Sequence, residues 1–162
     1  MPAPAITATA ISHVALRVRD VPRSIAWYRA ALGYEVLTDG EAPTPDRTRS
    51  AMGLICGGVV ALELLETPEG HAHGIDTLGV AGLSLSVPDI ATAVASAAAA
   101  GLAPTPVIDA EDWKVAFLFD PDRNVVELVQ QPAGARTIAD FAPTLRARAP
   151  ILRAYAAAPA GG

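Results

Sequence analysis

Two glutamates stand in the middle of otherwise apolar segments of this chain. Glu63 lies within VVALELLE, and Glu127 lies within NVVELVQ. A carboxylate in an apolar strand is costly to bury unless it is paired with a cation, hydrogen-bonded or bound to a metal. Because the two glutamates occupy matching places in two similar stretches, we expect them to belong to one shared site. His13, in an alternating segment near the N-terminus, is the third candidate, since histidine can bind a metal or transfer a proton.

These residues belong to a unit that occurs twice. Residues 11–32 (ISHVALRVRDVPRSIAWYRAAL) are matched by residues 80–101 (VAGLSLSVPDIATAVASAAAAG) at a constant offset. In each copy an alternating strand is followed by an aspartate, Asp20 or Asp89, at the N-cap position of a helix. Regular offsets of this kind predict an internal repeat.

Each copy is predicted to be a βαβββ module. In the first copy the strands after the helix are expected at 34–38, 48–56 and 59–66, with residues 39–46 (DGEAPTPD) as a loop. In the second copy strands at 113–119 and 125–130 flank the turn DPDRN, and the segment around Pro104 and Pro106 carries only a weak strand pattern. The predicted fold class is α+β, with the two modules forming a curled mixed sheet that makes a cup.

The domain organisation follows from this repeat. We expect a flexible N-terminus (1–9), a first module (10–66), a linker (67–78), a second module (79–131) and a C-terminal arm (132–162). The arm is rich in Ala, Arg and Pro, and we expect it to be peripheral and to pack on a partner subunit.

Composition excludes several classes of function. The formal net charge is −5 and no basic cluster occurs, which argues against a nucleic-acid surface. No apolar run has membrane-spanning length, and the N-terminus lacks the features of a signal peptide, so a cytoplasmic location is expected. Cys56 is the only cysteine, so an intrachain disulfide is excluded.

Strand alternation predicts which side chains face the site. The helix of each module must cover the more apolar face of its first strand, which leaves the opposite face open. On that open face the sequence places His13, Ala15 and Arg17 in the first module and Gly82, Ser84 and Ser86 in the second.

Three segments carry a specific resemblance: HVALRVRDVPRSIAWYRAALGYEVL, LELLE and FLFDPDRNVVELVQ. They resemble the vicinal oxygen chelate superfamily, which includes glyoxalase I, methylmalonyl-CoA epimerase, extradiol dioxygenases and the fosfomycin and bleomycin resistance proteins. The resemblance covers residues 10–131. It implies paired βαβββ modules curled into a cup around a divalent metal, and a homodimer.

Carried over by position, the resemblance implies His13, Glu63 and Glu127 as metal ligands. The remaining ligand, usually histidine, falls at Gly82, which has no side chain with which to coordinate, so the implied site is incomplete. The donor set would suit Mn, Fe, Co, Ni, Zn or Mg. Arg123 also replaces the glycine usual in the DPDGN turn, and a left-handed non-glycine residue there costs roughly 1–2 kcal/mol.

With a metal present, the expected reaction is that of a lyase or of an isomerase or epimerase. The metal would hold a carbonyl oxygen, and Glu127, Glu63 or His13 would move a proton next to that carbonyl. A ring-cleaving dioxygenase fits less well, because that chemistry normally uses two histidines and one carboxylate.

Without a metal, the cup would be a small-molecule binding site of the antibiotic-sequestering kind or would catalyse acid–base steps. Its ligand contacts would include Arg17, Ser84, Ser86, Gly82 and Trp113. His13 could then be a hydrogen-bonded residue of the cavity. His71 and His73 are alternatives to the missing ligand, although a solvated loop explains them more simply. A structural or regulatory module gives no reason for carboxylates in apolar strands and ranks last.

Overall fold

The computed structural model describes residues 11–43, 49–58, 60–71, 80–110, 113–136 and 140. Within them the chain forms two successive βαβββ modules, so the predicted α+β fold class is confirmed. The first module contains β1 (His13–Val18), α1 (Val21–Leu32), β2 (Glu35–Pro43), β3 (Arg49–Cys56) and β4 (Ala61–Glu66). The second contains β5 (Leu83–Ser86), α2 (Ile90–Ala99), β6 (Ile108–Ala110), β7 (Trp113–Phe119) and β8 (Val125–Gln130). The predicted N-terminal segment 1–9, linker residues 72–78 with His73, and most of the arm lie outside the described residues.

Each module builds one four-stranded mixed sheet. The strand orders are β1-β4-β3-β2 and β5-β8-β7-β6, with the first strand of each module parallel to its last. The other neighbours within each sheet are antiparallel. Among the described strands the two sheets do not pair with each other, so they do not close into a barrel.

The helices begin where the sequence predicts. The Asp20 carboxylate accepts a hydrogen bond from the Arg23 backbone N–H at 2.8 Å, and Asp89 accepts one from the Thr92 N–H at 2.7 Å. These bonds satisfy N–H groups that have no partner within the helix. The hydrogen bonds from Thr92 lower the pKa of Asp89. Gly33 ends α1 in the left-handed conformation, with a φ of 68°.

The predicted faces of β1 are also confirmed. Leu16 and Val18 are buried beneath α1, whereas His13, Ala15 and Arg17 are exposed on the opposite face. The core that these faces help to form continues into the second module. Its fully buried large side chains include Tyr28, Ile55, Leu62, Leu64 and Val126.

One strand is longer than the sequence predicts. Residues 39–46 were expected to form a loop, but β2 continues to Pro43, so this prediction is wrong for residues 39–43, while 44–46 lie outside the described residues. The reason is pairing with β3, which extends to the pair Pro43–Arg49. An ion pair of 2.8 Å between Glu41 Oε2 and Arg49 Nε accompanies this pairing. Cross-strand partners therefore outweigh a composition typical of loops.

The modules are joined by buried acidic residues in the β7–β8 turn. Asp120 accepts a hydrogen bond from the Tyr28 hydroxyl at 3.2 Å, and Asp122 lies 2.7 Å from Arg23 and 3.3 Å from Arg19. Both carboxylates are almost fully buried. Paired buried charges of this kind fix the relative placement of the elements that carry them, because separating them would leave a charge without a partner.

The turn between β7 and β8 contains a residue in the left-handed conformation. Arg123 is left-handed with a φ of 71°, as predicted for the glycine position of this turn. Its guanidinium lies 4.4 Å from the centre of the Phe119 ring, an attraction that offsets part of the strain.

Neither α1 nor α2, the helices of the described modules, has the length and hydrophobicity of a membrane-spanning helix.

Candidate functional site

His13 and Glu63 meet on the open face of the first sheet. In the parallel register of β1 and β4, Glu63 lies beside Ala15, and His13 lies two residues before Ala15 on the same face of β1. The His13 Nε2 atom is 3.4 Å from the Glu63 Oε2 atom. Such a carboxylate orients an imidazole. The His13 side chain is 43% exposed and the Glu63 side chain is 22% exposed, so both can contact a bound molecule.

Glu127 occupies the equivalent place on the second sheet. It lies between Ser84 of β5 and Phe117 of β7, as Glu63 lies between Ala15 and Leu54. Glu127 is half-buried. Within the part of the chain that the structure describes, its carboxylate makes neither a hydrogen bond nor an ion pair. It is therefore free to accept a proton from a bound molecule.

Gly82 does more than lack a ligand side chain. A Cβ atom placed there would lie 2.8 Å from the Val125 backbone oxygen and 2.9 Å from the Val125 Cβ. Contacts that short require the backbone to move. The position that corresponds to His13 in the second module is thus closed to any larger residue in this conformation.

The donors for a metal ion are incomplete within one chain. His13 and Glu63 come together, but across the described residues no three His, Cys, Asp or Glu side chains form a group that could hold a metal. Glu127 therefore does not join the pair. Two donors are fewer than the three or more protein ligands usual for a catalytic metal. The described residues of a single chain do not fit the implied metal.

A cleft of about 910 Å³ adjoins Glu127. This volume is in the range of sites for small organic molecules. Its wall includes the predicted residues Ser84, Ser86 and Trp113 from the second module. The first module contributes Leu32, Tyr34 and Gly57, and apolar strand residues such as Val115 and Val129 complete most of the wall. Arg17 and Gly82 do not line this cleft.

Two residues of the cleft wall were not found by sequence reasoning. The Tyr34 hydroxyl and the Gln131 Oε1 atom are buried and have no hydrogen-bond partner among the described residues. Burial, with a smaller effect of Cys56, raises the pKa of Tyr34. Buried polar atoms without partners are uncommon in native proteins and call for an explanation, such as a bound ligand or water. In the sequence, Tyr34 was only the first residue of a predicted strand, so composition gave no signal for it.

Comparison with known families now adds to this geometry. The sequence profile of the Glyoxalase/Bleomycin resistance protein/Dioxygenase superfamily matches residues 10–128. The chain belongs to this superfamily. The resemblance drawn from the sequence motifs is therefore confirmed. No curated protein matches the chain closely enough to be counted as a relative.

Solved structures of the superfamily share the fold. A glyoxalase family protein from Enterococcus faecalis is 25% identical, with a TM-score of 0.65, covering 75% of this chain and 98% of that one. A glyoxylase/bleomycin resistance protein/dioxygenase domain from Frankia sp. is 28% identical, with a TM-score of 0.63, covering 80% and 96%. The fosfomycin resistance protein FosX from Listeria monocytogenes has a TM-score of 0.62 at 12% identity, covering 81% and 100%, and is similar in fold alone. A mutant of that protein, in which a glutamate is replaced by glutamine, has been solved with Mn(II) and a dihydroxypropylphosphonic acid.

Proposed function

We propose that this chain is a small-molecule enzyme of the lyase or isomerase type, which moves a proton next to a carbonyl group. Glu127 is the proposed base. The observation that carries the proposal is the half-buried Glu127 carboxylate, which has no partner among the described residues and lies in the wall of a cleft of about 910 Å³. A base must have an unoccupied lone pair directed at the substrate, and Glu127 meets that requirement better than Glu63, which contacts His13.

The rest of the cleft supports proton abstraction. Trp113, Val115 and Val129 supply apolar surface for the carbon skeleton of a substrate. Removing a proton beside a carbonyl places negative charge on the carbonyl oxygen, and preorganised donors stabilise that charge. Tyr34 lines the cleft and its buried hydroxyl has no partner among the described residues, and Ser84 adds a second hydroxyl.

A divalent metal, bound through His13 and Glu63, is a further part of the proposal. Because the described residues of one chain bring together only these two donors, a complete site needs a donor from elsewhere. A homodimer would supply one if a carboxylate or imidazole of the partner subunit faced the open sheet that carries His13. Metal content and oligomeric state are therefore tested together, by elemental analysis of monomer and dimer fractions from the wild type and from His13→Ala. Metal in the dimer fraction alone, lost in the variant, would support this assembly.

Sequestration of a small molecule is the second candidate function. The closed position at Gly82 and the incomplete donor set favour it, because a binding cleft needs neither. A ring-cleaving dioxygenase draws no support from the described residues, since the second histidine that it requires would stand at Gly82. A cytoplasmic location remains a proposal.

The deciding experiment follows exchange of substrate hydrogen with solvent. Dicarbonyls, hydroxyacids and acyl thioesters are incubated with the protein in D₂O, and NMR detects deuterium at the carbon beside the carbonyl. We expect Glu127→Gln to slow the exchange by roughly 10²–10⁴-fold, the usual contribution of a general base. Glu69→Gln, at an exposed carboxylate outside the cleft, is the matched control and should be unaffected.

The outcomes separate the two functions. Exchange that depends on Glu127 supports the enzyme. Exchange that survives Glu127→Gln refutes its role as the base. Saturable binding without exchange, for any compound that raises the melting temperature, supports sequestration.

A further inference from the structure

A small cavity lies where β1 and β4 end, and we name it the basic cavity. Its volume is about 180 Å³, and its wall includes Arg17, Arg19 and His71 together with one acidic residue, Asp122. It shares no residue with the wall of the Glu127 cleft. We propose that the basic cavity binds a compact oxyanion of the size of a phosphate group. This proposal does not depend on the proposed function of Glu127.

The arginines of this cavity carry more positive charge than their neighbours neutralise. Arg17 donates to the Thr67 hydroxyl at 3.1 Å, and no carboxylate of the described residues lies within ion-pair distance of it. Arg19 lies 3.3 Å from Asp122, but that carboxylate is 2.7 Å from Arg23 as well. One carboxylate is thus shared by two guanidinium groups, while a third guanidinium has none. An anion placed between Arg17 and Arg19 would balance this excess.

The same arginines are held in place before any ligand arrives. Arg19 Nε donates to the Gly70 carbonyl at 3.1 Å, so both arginines are attached to the turn that follows β4. That turn is closed by a hydrogen bond from the Gly70 N–H to the Thr67 carbonyl at 2.9 Å. A guanidinium has five N–H donors, and each arginine uses only some of them in these contacts. The remaining donors suit the oxygen atoms of a phosphate or carboxylate.

The internal repeat provides a reference for this cavity. The two modules correspond closely here, since the Val21 N–H donates to Glu66 at 3.3 Å and the matching Ile90 N–H donates to Gln130 at 2.8 Å. The second module has its own cavity at the same place. At the positions that match Arg17, Arg19, Gly70 and His71, it has Ser86, Pro88, Gly134 and Ala135.

The two cavities differ in the residues at matching positions, although both are formed by the same fold. The second cavity has one arginine, Arg136, which follows the matching segment rather than replacing Arg17 or Arg19. The fold therefore forms the cavity without cations at those positions. Arg17 and His71 are additional to the fold and a bound anion accounts for them, whereas Arg19 also pairs with Asp122 between the modules.

Phosphate titration tests the proposal. Chemical shifts of uniformly ¹⁵N-labelled protein are followed as inorganic phosphate is added, with NaCl adjusted to keep the ionic strength constant. We expect saturable shifts at residues of the basic cavity and a dissociation constant raised roughly tenfold or more in Arg17→Gln, as for loss of a hydrogen bond between charged groups. Arg29→Gln, at an exposed arginine on α1 outside the cavity, is the matched control and should bind like the wild type.

Further variants test whether phosphate binds in the basic cavity. His71→Gln changes an exposed wall residue and should weaken phosphate binding without affecting folding. Glu127→Gln should leave phosphate binding unchanged, because the two sites share no residue. Repeating the titration with glycerol 3-phosphate distinguishes free phosphate from a phosphate ester, since an ester ligand would bind more tightly. Absence of saturable shifts in the wild type, or equal weakening by Arg17→Gln and Arg29→Gln, would overturn the proposal.

Discussion

Replacing Tyr34 with phenylalanine removes a buried hydroxyl that has no hydrogen-bond partner among the described residues. Only 3% of this residue is exposed, so water does not compensate freely for the missing bond. A buried polar group without a partner costs about 1–3 kcal/mol. We therefore expect Tyr34→Phe to leave the free energy of unfolding unchanged or to raise it by about 1 kcal/mol.

Tyr28 is the matched control, because its ring lies 6.2 Å from that of Tyr34 and it is also buried. Its hydroxyl donates to the Asp120 carboxylate at 3.2 Å. A hydrogen bond to a charged group contributes about 1.5–3 kcal/mol, so Tyr28→Phe should lower the free energy of unfolding by that amount. The same atom is deleted in both variants, yet the expected signs differ.

Urea denaturation of the wild type and both variants measures this difference. We expect the variants to differ by about 1.5–4 kcal/mol, with unchanged m-values. A loss of 1 kcal/mol or more in Tyr34→Phe would show that its hydroxyl is bonded in the folded protein, and the assignment of a free donor to the cleft would be wrong. If the hydroxyl contacts substrate, the same variant should also weaken binding of any compound that occupies the Glu127 cleft, which separates a functional role from a packing role.

Three other predictions concern the two buried tyrosines, Gly82 and Gly57. Burial, together with Asp120, raises the pKa of Tyr28, and burial raises that of Tyr34, so the folded protein keeps protons that the unfolded chain loses above about pH 10. Stability should therefore be unaffected by these groups below that pH and fall above it, with a slope of about 1.4 kcal/mol per pH unit from Tyr28 that is absent in Tyr28→Phe on urea denaturation. Gly82→His should lower the melting temperature and add no metal to the protein by elemental analysis, since its Cβ would lie 2.8 Å from the Val125 oxygen; a stable variant with stoichiometric metal would refute the closed position. Gly57→Ala should cost about 1–3 kcal/mol on urea denaturation, because its Cβ would overlap the Tyr34 ring, and an unchanged stability would contradict that packing.

The parts of the fold that the sequence predicted are those decided by local chemistry. Asp20 and Asp89 cap their helices because a side-chain oxygen three residues before a free N–H can reach it in any context. The faces of β1 follow from strict alternation. The length of β2 was missed because it depends on pairing with β3, including the ion pair between Glu41 and Arg49, and neither residue identifies its partner in the sequence.

The candidate site was predicted less completely, for a reason that lies in the placement of the modules. Strand alternation and the internal repeat predicted that His13 lies near Glu63, because these two residues belong to neighbouring strands of one sheet. They could not show that Glu127 lies apart from the His13–Glu63 pair, since the position of Glu127 depends on how the second module packs on the first. That packing is fixed at Asp120 and Asp122, whose partners lie about a hundred residues earlier in the chain. Acidic residues in a turn opposite arginines at a helix start are a signal that could have suggested this contact.

The repeat also explains why two equivalent glutamates are assigned different roles. Glu63 and Glu127 occupy the same register position in their sheets, so the fold alone does not distinguish them. What differs is the residue two positions before the paired residue on the neighbouring strand, which is His13 in one module and Gly82 in the other. An imidazole engages one oxygen of Glu63, whereas a glycine leaves Glu127 free and Val125 closes the place where a second histidine would stand. The glycine at the position where the resemblance implies a further metal ligand is therefore also the residue that leaves a carboxylate available for the proton transfer proposed for Glu127.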